Sequence, residues 1–405
     1  MEKVFIVAAK RTAIGKFLGS LSEVKPGDMA AQVIRQVVAD ARLDPVAIDE
    51  VFIGHQHSPG QGPSIARRAQ IEASIPVEVP ATTVNMQCGS GLKAAMLGFN
   101  AIQAGSDIVL CGGVENMSQV PFILSRDVRK GVKMGNAAVG VQDSLFCDGL
   151  IDQFNGYLMG MTAENVADLT HTTRAEQDDY ALASQQRAQA AVESGRFREE
   201  IVPVVRTDRK GREYVFDTDE SHTPGTTAEA LAALKPAFKK DGTVTAGNAS
   251  QLNDGAAMLI LASERAVKKY GFTPLVEMVS IGQVGINPAI MGLGPVKAIR
   301  KALDNAGLTL ADVGLMELNE AFAAQAVGVL KQLGEHYGIG VDVLRERTNV
   351  NGGAIALGHP VAASGARIST SLIYEMRRRP DVRYGVASLC VGGGIGVAAV
   401  FTKPD

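Results

Sequence analysis

The sequence is poor in cysteine and has no excess of charge of either sign. Only four of its 405 residues are cysteine, and no two of them form a C-x-x-C pair. We therefore expect neither a disulfide scaffold nor a zinc site, and the sparse cysteines favour a reducing compartment, with the cytoplasm as the default. The net charge is −3 with both signs interspersed, so no nucleic-acid partner is expected.

A long hydrophobic run is also missing. One of the long stretches without a charged residue includes 386–402, which contains four glycines. It is short for a membrane span, and we interpret it as two buried strands around a glycine turn. The first apolar run leads directly into Lys10 and Arg11, which is not typical of a secretory signal. No membrane partner is therefore expected.

An α/β pattern that is interrupted once fills most of the chain. Predicted strands and helices alternate over the first 120 residues and again after residue 248, whereas the segment between them is more polar and has long loops. We predict an N-terminal α/β half over 1–120 that is completed by 249–271, an inserted lobe over 121–248, and a C-terminal α/β half over 272–405. Inserted lobes of this kind often cover ligands.

The two predicted halves resemble each other in sequence. Residues 41–54 (ARLDPVAIDEVFIG) resemble 306–319 (AGLTLADVGLMELN), and 90–93 (SGLK) resemble 364–367 (SGAR). The spacing differs between the two pairs, and a charged, irregular connection over 335–347 would hold the extra residues. Two copies of one unit can present matching strand ends to a single cleft. The residues that this would bring together are Cys88, Asn319, His359 and Cys390.

The segment 82–95 (TTVNMQCGSGLKAA) predicts a nucleophile. It begins with extended-type residues, turns through Cys88, Gly89 and Gly91, and continues with helix formers. A thiol at a helix N-terminus faces free N–H groups that stabilise a thiolate and lower its pKa. A small buried thiol is the competing interpretation. A dinucleotide site is disfavoured, because the G-x-G-x-x-A pattern lacks the acidic residue expected about 20 positions on.

Other polar residues could complete a site around this thiol. A nucleophilic cysteine needs a base, and His359 in a Gly-His-Pro turn is the candidate, with a satisfied structural imidazole as the alternative. Cys390 precedes three glycines whose N–H groups can bind an anion, although a packed thiol is simpler. Asn319 could orient a water, donate to an oxyanion or cap a helix. His55 and His57 lack a third metal ligand and are interpreted as surface-loop residues.

Seven blocks of sequence, in order, together resemble the thiolase family over essentially the whole chain. They are QCGSG at Cys88, GGVENMS over 112–118, MGMTAENVA over 159–167, TAGNAS over 245–250, NEAFAAQ over 319–325, NGGAIALGHP over 351–360 and CVGGG from Cys390. The resemblance implies a duplicated α/β fold, in which two similar halves form a layered αβαβα core with an inserted loop domain. It also implies an acyltransferase that acts as a homodimer or homotetramer.

The resemblance further implies a role for each candidate residue. Cys88 would be acylated with the help of His359, and Cys390 would act as acid and base. One oxyanion hole would consist of His359 and a water held by Asn319, and the other of the backbone N–H groups of Cys88 and Gly392. Coenzyme A would be a substrate, with no metal or redox cofactor. The residues implied for its channel are Leu158, Met159, Ser250, Met291, Ala321 and Phe322.

The resemblance favours an acetyl-CoA C-acetyltransferase, which forms or cleaves acetoacetyl-CoA. A degradative 3-ketoacyl-CoA thiolase for longer acyl chains is the alternative, because Leu158, Thr223 and Ala362 depart from the short-chain pattern. The segments 131–135 and 247–250 instead resemble the acetoacetyl-CoA type.

Two rivals to a thiolase stay open. A condensing enzyme of the ketoacyl-synthase type shares the doubled fold, but it typically uses a cysteine with two histidines. A non-catalytic acyl-CoA-binding protein need not keep Cys88, His359 and Cys390 together.

Overall fold

A computed structural model describes residues 2–131, 140–207 and 210–404 of the chain. Most of the 131–135 segment, which supports the acyl-length prediction, lies outside the described residues. No helix among those described is long and apolar enough to cross a membrane.

The strands of the described chain are β1 Val4–Thr12, β2 Gly15–Lys16, β3 Glu50–Gly54, β4 Ala81–Val84, β5 Ile108–Asn116, β6 Phe122–Leu124, β7 Val141–Asp143, β8 Ile151–Asp152, β9 Tyr157–Leu158, β10 Ile201–Val202, β11 Val204–Thr207, β12 Glu213–Phe216, β13 Asn253–Ser263, β14 Val276–Gly285, β15 Val313–Leu318, β16 Tyr384–Val391 and β17 Ile395–Thr402.

The α-helices are α1 Pro26–Asp40, α2 Ile65–Glu72, α3 Ser90–Gln103, α4 Met159–Leu169, α5 Arg174–Glu193, α6 Ala228–Ala232, α7 Glu264–Tyr270, α8 Gly294–Ala306, α9 Ala323–Tyr337, α10 Val341–Glu346, α11 Ala354–Leu357 and α12 Ser364–Arg378.

One mixed sheet joins the two halves of the chain. Its main order is β15-β16-β17-β14-β1-β13-β5-β3-β4, with β2 and β10 attached to β13 and β1. The seam is the antiparallel pair β1–β14. On each side of this seam two antiparallel pairings are followed by a parallel one, from β5 to β3 and from β16 to β15. The sequence repeat is therefore also a repeat of sheet topology.

Three helical layers cover this sheet. Apolar residues of α1 and α2 pack on the outer face of β1, β3, β5 and β13, and those of α8 and α9 pack on β15, β16 and β17. The inner faces of both halves share a third core with α3 and α12. The predicted layered α/β fold is therefore confirmed, with α3 and α12 in the central layer.

The two central helices cross where the repeat places equivalent glycines. A Cβ atom on Gly91 would lie 2.7 Å from the carbonyl oxygen of Ala362, and one on Gly365 would lie 2.3 Å from the backbone nitrogen of Leu92. Real Cβ atoms do not approach this closely, so both helices need glycine at their first turn. The close crossing brings the N-terminal ends of α3 and α12 to one place.

The segment between β5 and β13 forms most of the inserted lobe. Its described residues form α4, α5, α6 and three two-stranded ribbons that stay apart from the main sheet. Its two ends are neighbours, because Asn116 of β5 pairs with Asp254 of β13. Buried Arg11 anchors the lobe to β1, with its guanidinium 2.6 Å from a Glu200 carboxylate oxygen and 2.7 Å from an Asp219 one.

The prediction of an irregular connection over 335–347 is wrong. Helix α9 continues to Tyr337 and ends at Gly338, whose φ of 65° suits a left-handed helix cap. Helix α10 then fills most of the remaining residues. Leu344 of α10 is fully buried against the core of the C-terminal half, so tertiary packing stabilises a short helix whose charged sequence does not reveal it.

Candidate active site

Cys88 lies in a tight 3-10 turn, Gln87–Gly89, that leads from β4 into α3. The backbone N–H groups of Gly392 and of Cys88 itself donate to its sulfur and favour the thiolate, but burial is the larger effect and raises the pKa of the thiol to about 11. The predicted lowering of the pKa is therefore wrong for the free site. The helix N-terminus is in the predicted place, but removal of the thiol from water raises its pKa by more than the neighbouring N–H groups lower it.

His359 is held in one orientation by its neighbours. Its backbone N–H donates to Asn253 Oδ1 at 2.8 Å, and its ring Nδ1 lies 2.6 Å from Ser364 Oγ. Because the Ser364 hydroxyl donates to the Pro360 carbonyl, Nδ1 carries the proton and donates to Ser364. The other ring nitrogen, Nε2, then has a free lone pair, and it has no hydrogen-bond partner among the described residues.

The ring of His359 is neutral at physiological pH. Burial, and then the positive charge of Arg367, lower the pKa of His359 to about 3. A base must be unprotonated to act, and this ring is unprotonated over the whole neutral range.

Asn319 follows β15 and is fully buried. Neither polar atom of its side-chain amide has a partner within the described parts of the chain. It does not cap a helix, because α9 begins only at Ala323, and the helix-cap alternative is excluded. Buried amides nearly always have partners, so this one is arranged to bind a water or a ligand oxygen.

The neighbouring Glu320 fixes the loop that carries Asn319. Its buried carboxylate accepts hydrogen bonds from Ser184 Oγ at 2.7 Å, Asn349 Nδ2 at 2.7 Å and the Ile355 backbone N–H at 3.2 Å. One side chain therefore joins the loop after β15 to helix α5 of the inserted lobe and to helix α11, which precedes His359.

Cys390 lies near the end of β16 and is 1% exposed. It packs against Met291 and Ala321. Burial raises the pKa of its thiol, and negative charge on Cys88 raises it further. The two sulfurs therefore lie close enough to influence each other's ionisation.

A cavity of about 280 Å³ adjoins these groups. Both halves and the inserted lobe contribute to its mainly apolar wall. The predicted residues that line it are Cys88, Leu158, Met159, Ser250, Met291, Ala321, Phe322, His359 and Gly392. Cys390 and Asn319 are not among the lining residues, but Cys390 packs against Met291 and Ala321, which are.

The interpretation of His55 and His57 as surface-loop residues is wrong, since they are 1% and 3% exposed. His55 Nδ1 lies 2.9 Å from the Val114 carbonyl, and His57 lines the cavity. Burial follows from Glu115, whose carboxylate accepts the backbone N–H groups of Gln56 and His57. The described residues contain no cluster of three potential metal ligands.

Sequence reasoning missed several residues that position the site. Asn253 and Ser364 orient His359, Glu320 fixes the Asn319 loop, and Glu115 fixes the turn before His57. Glu115 and Glu320 do stand inside the GGVEN and NEAF blocks, which was the available signal. Asn253 and Ser364 lie just outside the blocks; Ser364 has a signal only as the first residue of the repeated segment 364–367, and Asn253 has none.

Comparison with known proteins identifies the family. The thiolase N-terminal domain matches residues 4–265, and the thiolase C-terminal domain matches residues 272–403. The chain therefore belongs to the thiolase family, and it is an acyltransferase enzyme.

Individual relatives make the likeness more specific. The chain is 50% identical to the acetyl-CoA acetyltransferase of Pseudomonas aeruginosa, with all of both chains covered. The structure of the acetyl-CoA acetyltransferase from Syntrophomonas wolfei superimposes with a TM-score of 0.94 at 41% identity, again over the whole of both chains. The structure of the human mitochondrial 3-ketoacyl-CoA thiolase in complex with CoA superimposes with a TM-score of 0.91 at 42% identity, over 100% of this chain and 98% of that one.

Proposed function

We propose that the protein is an acetyl-CoA C-acetyltransferase, which forms or cleaves acetoacetyl-CoA through an acyl-enzyme on Cys88. The observation that carries this proposal is the convergence on one cavity of a thiol, an imidazole with a free lone pair, and the Gly392 N–H group. Nucleophilic catalysis needs a nucleophile within reach of a base and donors for the developing oxyanion. The name of the Pseudomonas aeruginosa relative supports the same activity.

In the cleavage direction, the Cys88 sulfur attacks the 3-keto carbon of acetoacetyl-CoA while its proton passes to His359 Nε2. The carbonyl oxygen becomes an oxyanion, which accepts hydrogen bonds from the backbone N–H groups of Cys88 and Gly392. Collapse of this intermediate breaks the carbon–carbon bond, leaving an acetyl group on Cys88 and the enolate of acetyl-CoA. Such preorganised donors typically contribute about 10²–10³-fold each in rate.

The enolate is then converted to product. Its oxygen accepts hydrogen bonds from the newly protonated His359 and from a water held by Asn319, and Cys390 gives a proton to the α-carbon. Coenzyme A next loses its thiol proton to Cys390, attacks the acetyl group and releases the Cys88 sulfur, which recovers its proton from His359. The thioester itself acidifies the α-carbon, so the proposed steps require no metal or redox cofactor.

The proposed CoA channel consists of Leu158, Met159, Ser250, Met291, Ala321 and Phe322, which line the cavity. The CoA complex of the human thiolase supports a CoA thioester as the ligand. The likeness to that 3-ketoacyl-CoA thiolase also favours a second candidate, a degradative enzyme for longer acyl chains. We further propose a cytoplasmic homodimer or homotetramer.

The test is mass spectrometry of the protein and its digest after brief exposure to acetoacetyl-CoA. We expect an acetyl group on the peptide that contains Cys88, and none in Cys88→Ala. Cys147→Ala is the matched control, because this thiol is free and does not line the cavity; it should acetylate normally. Saturable binding without any adduct would instead support a non-catalytic acyl-CoA-binding protein.

Turnover of acetoacetyl-CoA against a medium-chain 3-ketoacyl-CoA decides between the two enzyme candidates. A strong preference for the longer chain would favour the degradative enzyme.

A further inference from the structure

Two polar residues of the cavity wall have no role in the proposed reaction. Gln56 and His57 line the same cavity as Cys88, and their side chains converge on Gly149. A Cβ atom on Gly149 would lie 2.9 Å from His57 Nε2 and 3.3 Å from Gln56 Nε2. The missing side chain at Gly149 therefore leaves room for both polar ends at one point of the wall.

Each of these side chains has one buried polar atom without a partner. Gln56 Nε2 donates to the Asp148 carbonyl at 3.2 Å, but Gln56 Oε1 and His57 Nε2 have no partner within the described chain. The residues are 7% and 3% exposed. Buried atoms of this kind are nearly always hydrogen-bonded, and leaving them unpaired is costly. Both atoms have almost no accessible surface, so a group from the cavity would satisfy both by binding between the two side chains.

The charges around the pair restrict what this group can be. The Glu115 carboxylate lies behind it and accepts both backbone N–H groups at 3.1 and 3.2 Å. Asp143 and Asp148 add further negative charge, while burial lowers the pKa of His57 and keeps the ring neutral. A carboxylate would be repelled here. A hydroxyl group is uncharged and can donate to Gln56 Oε1 while it accepts from His57 Nε2–H.

We propose that Gln56 and His57 form a subsite that selects 3-ketoacyl-CoA substrates whose acyl chain carries a neutral hydroxyl group. The inference rests on the proposed acyl transfer in the form of the second candidate, the enzyme for longer acyl chains, since the acyl chain must occupy the cavity that contains Cys88, and it adds the substrate class. Phe146 and Leu150 line the same cavity and suit the methylene groups of such a chain.

The experiment measures kcat/KM for thiolysis of paired 3-ketoacyl-CoAs, equal in length, with and without one terminal hydroxyl group. We expect the wild-type protein to prefer the hydroxylated member by about tenfold to a hundredfold at one chain length. A 3-ketoacyl-CoA whose acyl chain ends in a carboxylate should have the lowest kcat/KM. His57→Leu should abolish the preference, and His57→Gln should restore part of it.

Leu150→Ala is the control, because it alters the apolar wall without removing a hydrogen bond. It should change both members of each pair alike. If it removes the preference as fully as His57→Leu, shape rather than hydrogen bonding selects the chain and the inference is overturned. A wild-type protein that prefers the plain chain at every length also overturns it, even if the His57 variants do not fold.

Failure of the proposed function is a different result. In that case the wild-type protein would not become acetylated by acetoacetyl-CoA at all.

Discussion

The two halves of the molecule are copies of one α/β unit, yet they contribute different chemistry to the site. In the N-terminal half, the turn before α3 carries Cys88. In the C-terminal half, the segment before α12 carries His359 instead. The crossing at Gly91 and Gly365 places the two helix starts side by side, so a nucleophile and a base from distant parts of the sequence meet. The duplication supplies the geometry, and divergence between the copies supplies the chemistry.

The strongest test of these different contributions is to remove one thiol from each half. Cys88→Ala should lower kcat by about 10⁴–10⁶-fold, the scale known for loss of a catalytic nucleophile, and should abolish acetylation by acetoacetyl-CoA. Cys390→Ala should also lose most turnover, but single-turnover mass spectrometry should still detect acetylation of Cys88. Equal loss of acetylation in both variants would contradict the division of roles.

Asn319→Ala tests the contribution of the loop after β15. The variant removes the buried amide that is proposed to hold a water, so we expect kcat to fall by about 10²–10³-fold. Steady-state kinetics measure this, and acetylation of Cys88 should be affected less than overall turnover. Gln119→Ala serves as the control, because this half-buried residue follows β5, does not line the cavity, and donates its side-chain hydrogen bond to the Ser22 carbonyl. A fall in unfolding stability as large as the fall in rate would argue for a structural role.

The junction of the two halves can be tested at the equivalent glycines. Gly91→Ala and Gly365→Ala should each lower the free energy of unfolding by about 1–3 kcal/mol or more, because an added methyl group meets backbone atoms of the opposite half. Urea denaturation measures the change. Gly285→Ala is the matched control, since a Cβ atom there would meet nothing within 4 Å. A similar loss in the control would mean that helix crossing is not the cause.

The smallest expected effect concerns the ionisation of the Cys88 thiol in the free enzyme. Because burial raises the pKa of its thiol to about 11, the thiolate fraction, and with it the alkylation rate, should rise about tenfold per pH unit through neutral and mildly alkaline pH. The rate of iodoacetamide labelling of the Cys88 peptide, read by mass spectrometry, checks this. A plateau already present near neutral pH would mean that a thiolate and a protonated His359 exist in the free enzyme.

Parts of the chain with periodic apolar residues, and parts bounded by glycine-rich turns, could be predicted from sequence. The matched segments 90–93 and 364–367 do begin equivalent helices, α3 and α12, and the α/β alternation outside the lobe predicted the sheet. The candidate residues of the site could be named because they stand in glycine-rich blocks at strand ends. That these residues act as proposed stays a prediction.

The failures share a physical cause, which is that burial depends on the partner and not on local composition. The polar sequence around His57 is typical of a surface loop, but the Glu115 carboxylate pairs with its backbone inside the protein. The thiolate-stabilising turn at Cys88 was predicted correctly, whereas the loss of solvent that outweighs it depends on residues far along the chain that form the cavity wall. Helix α10 is stabilised by packing of Leu344 against the core, which the charged sequence around Leu344 does not indicate.

The inserted lobe leaves the sheet at Asn116 and returns at the paired position Asp254. In topological terms the lobe is therefore a very long hairpin loop. The entropy of closing a flexible loop grows only slowly with its length, so residues can be added to the exposed connections of this lobe at small thermodynamic cost while β5 and β13 keep their register. The part of the cavity wall that the lobe contributes can thus change in evolution while the catalytic residues of the two halves stay in place.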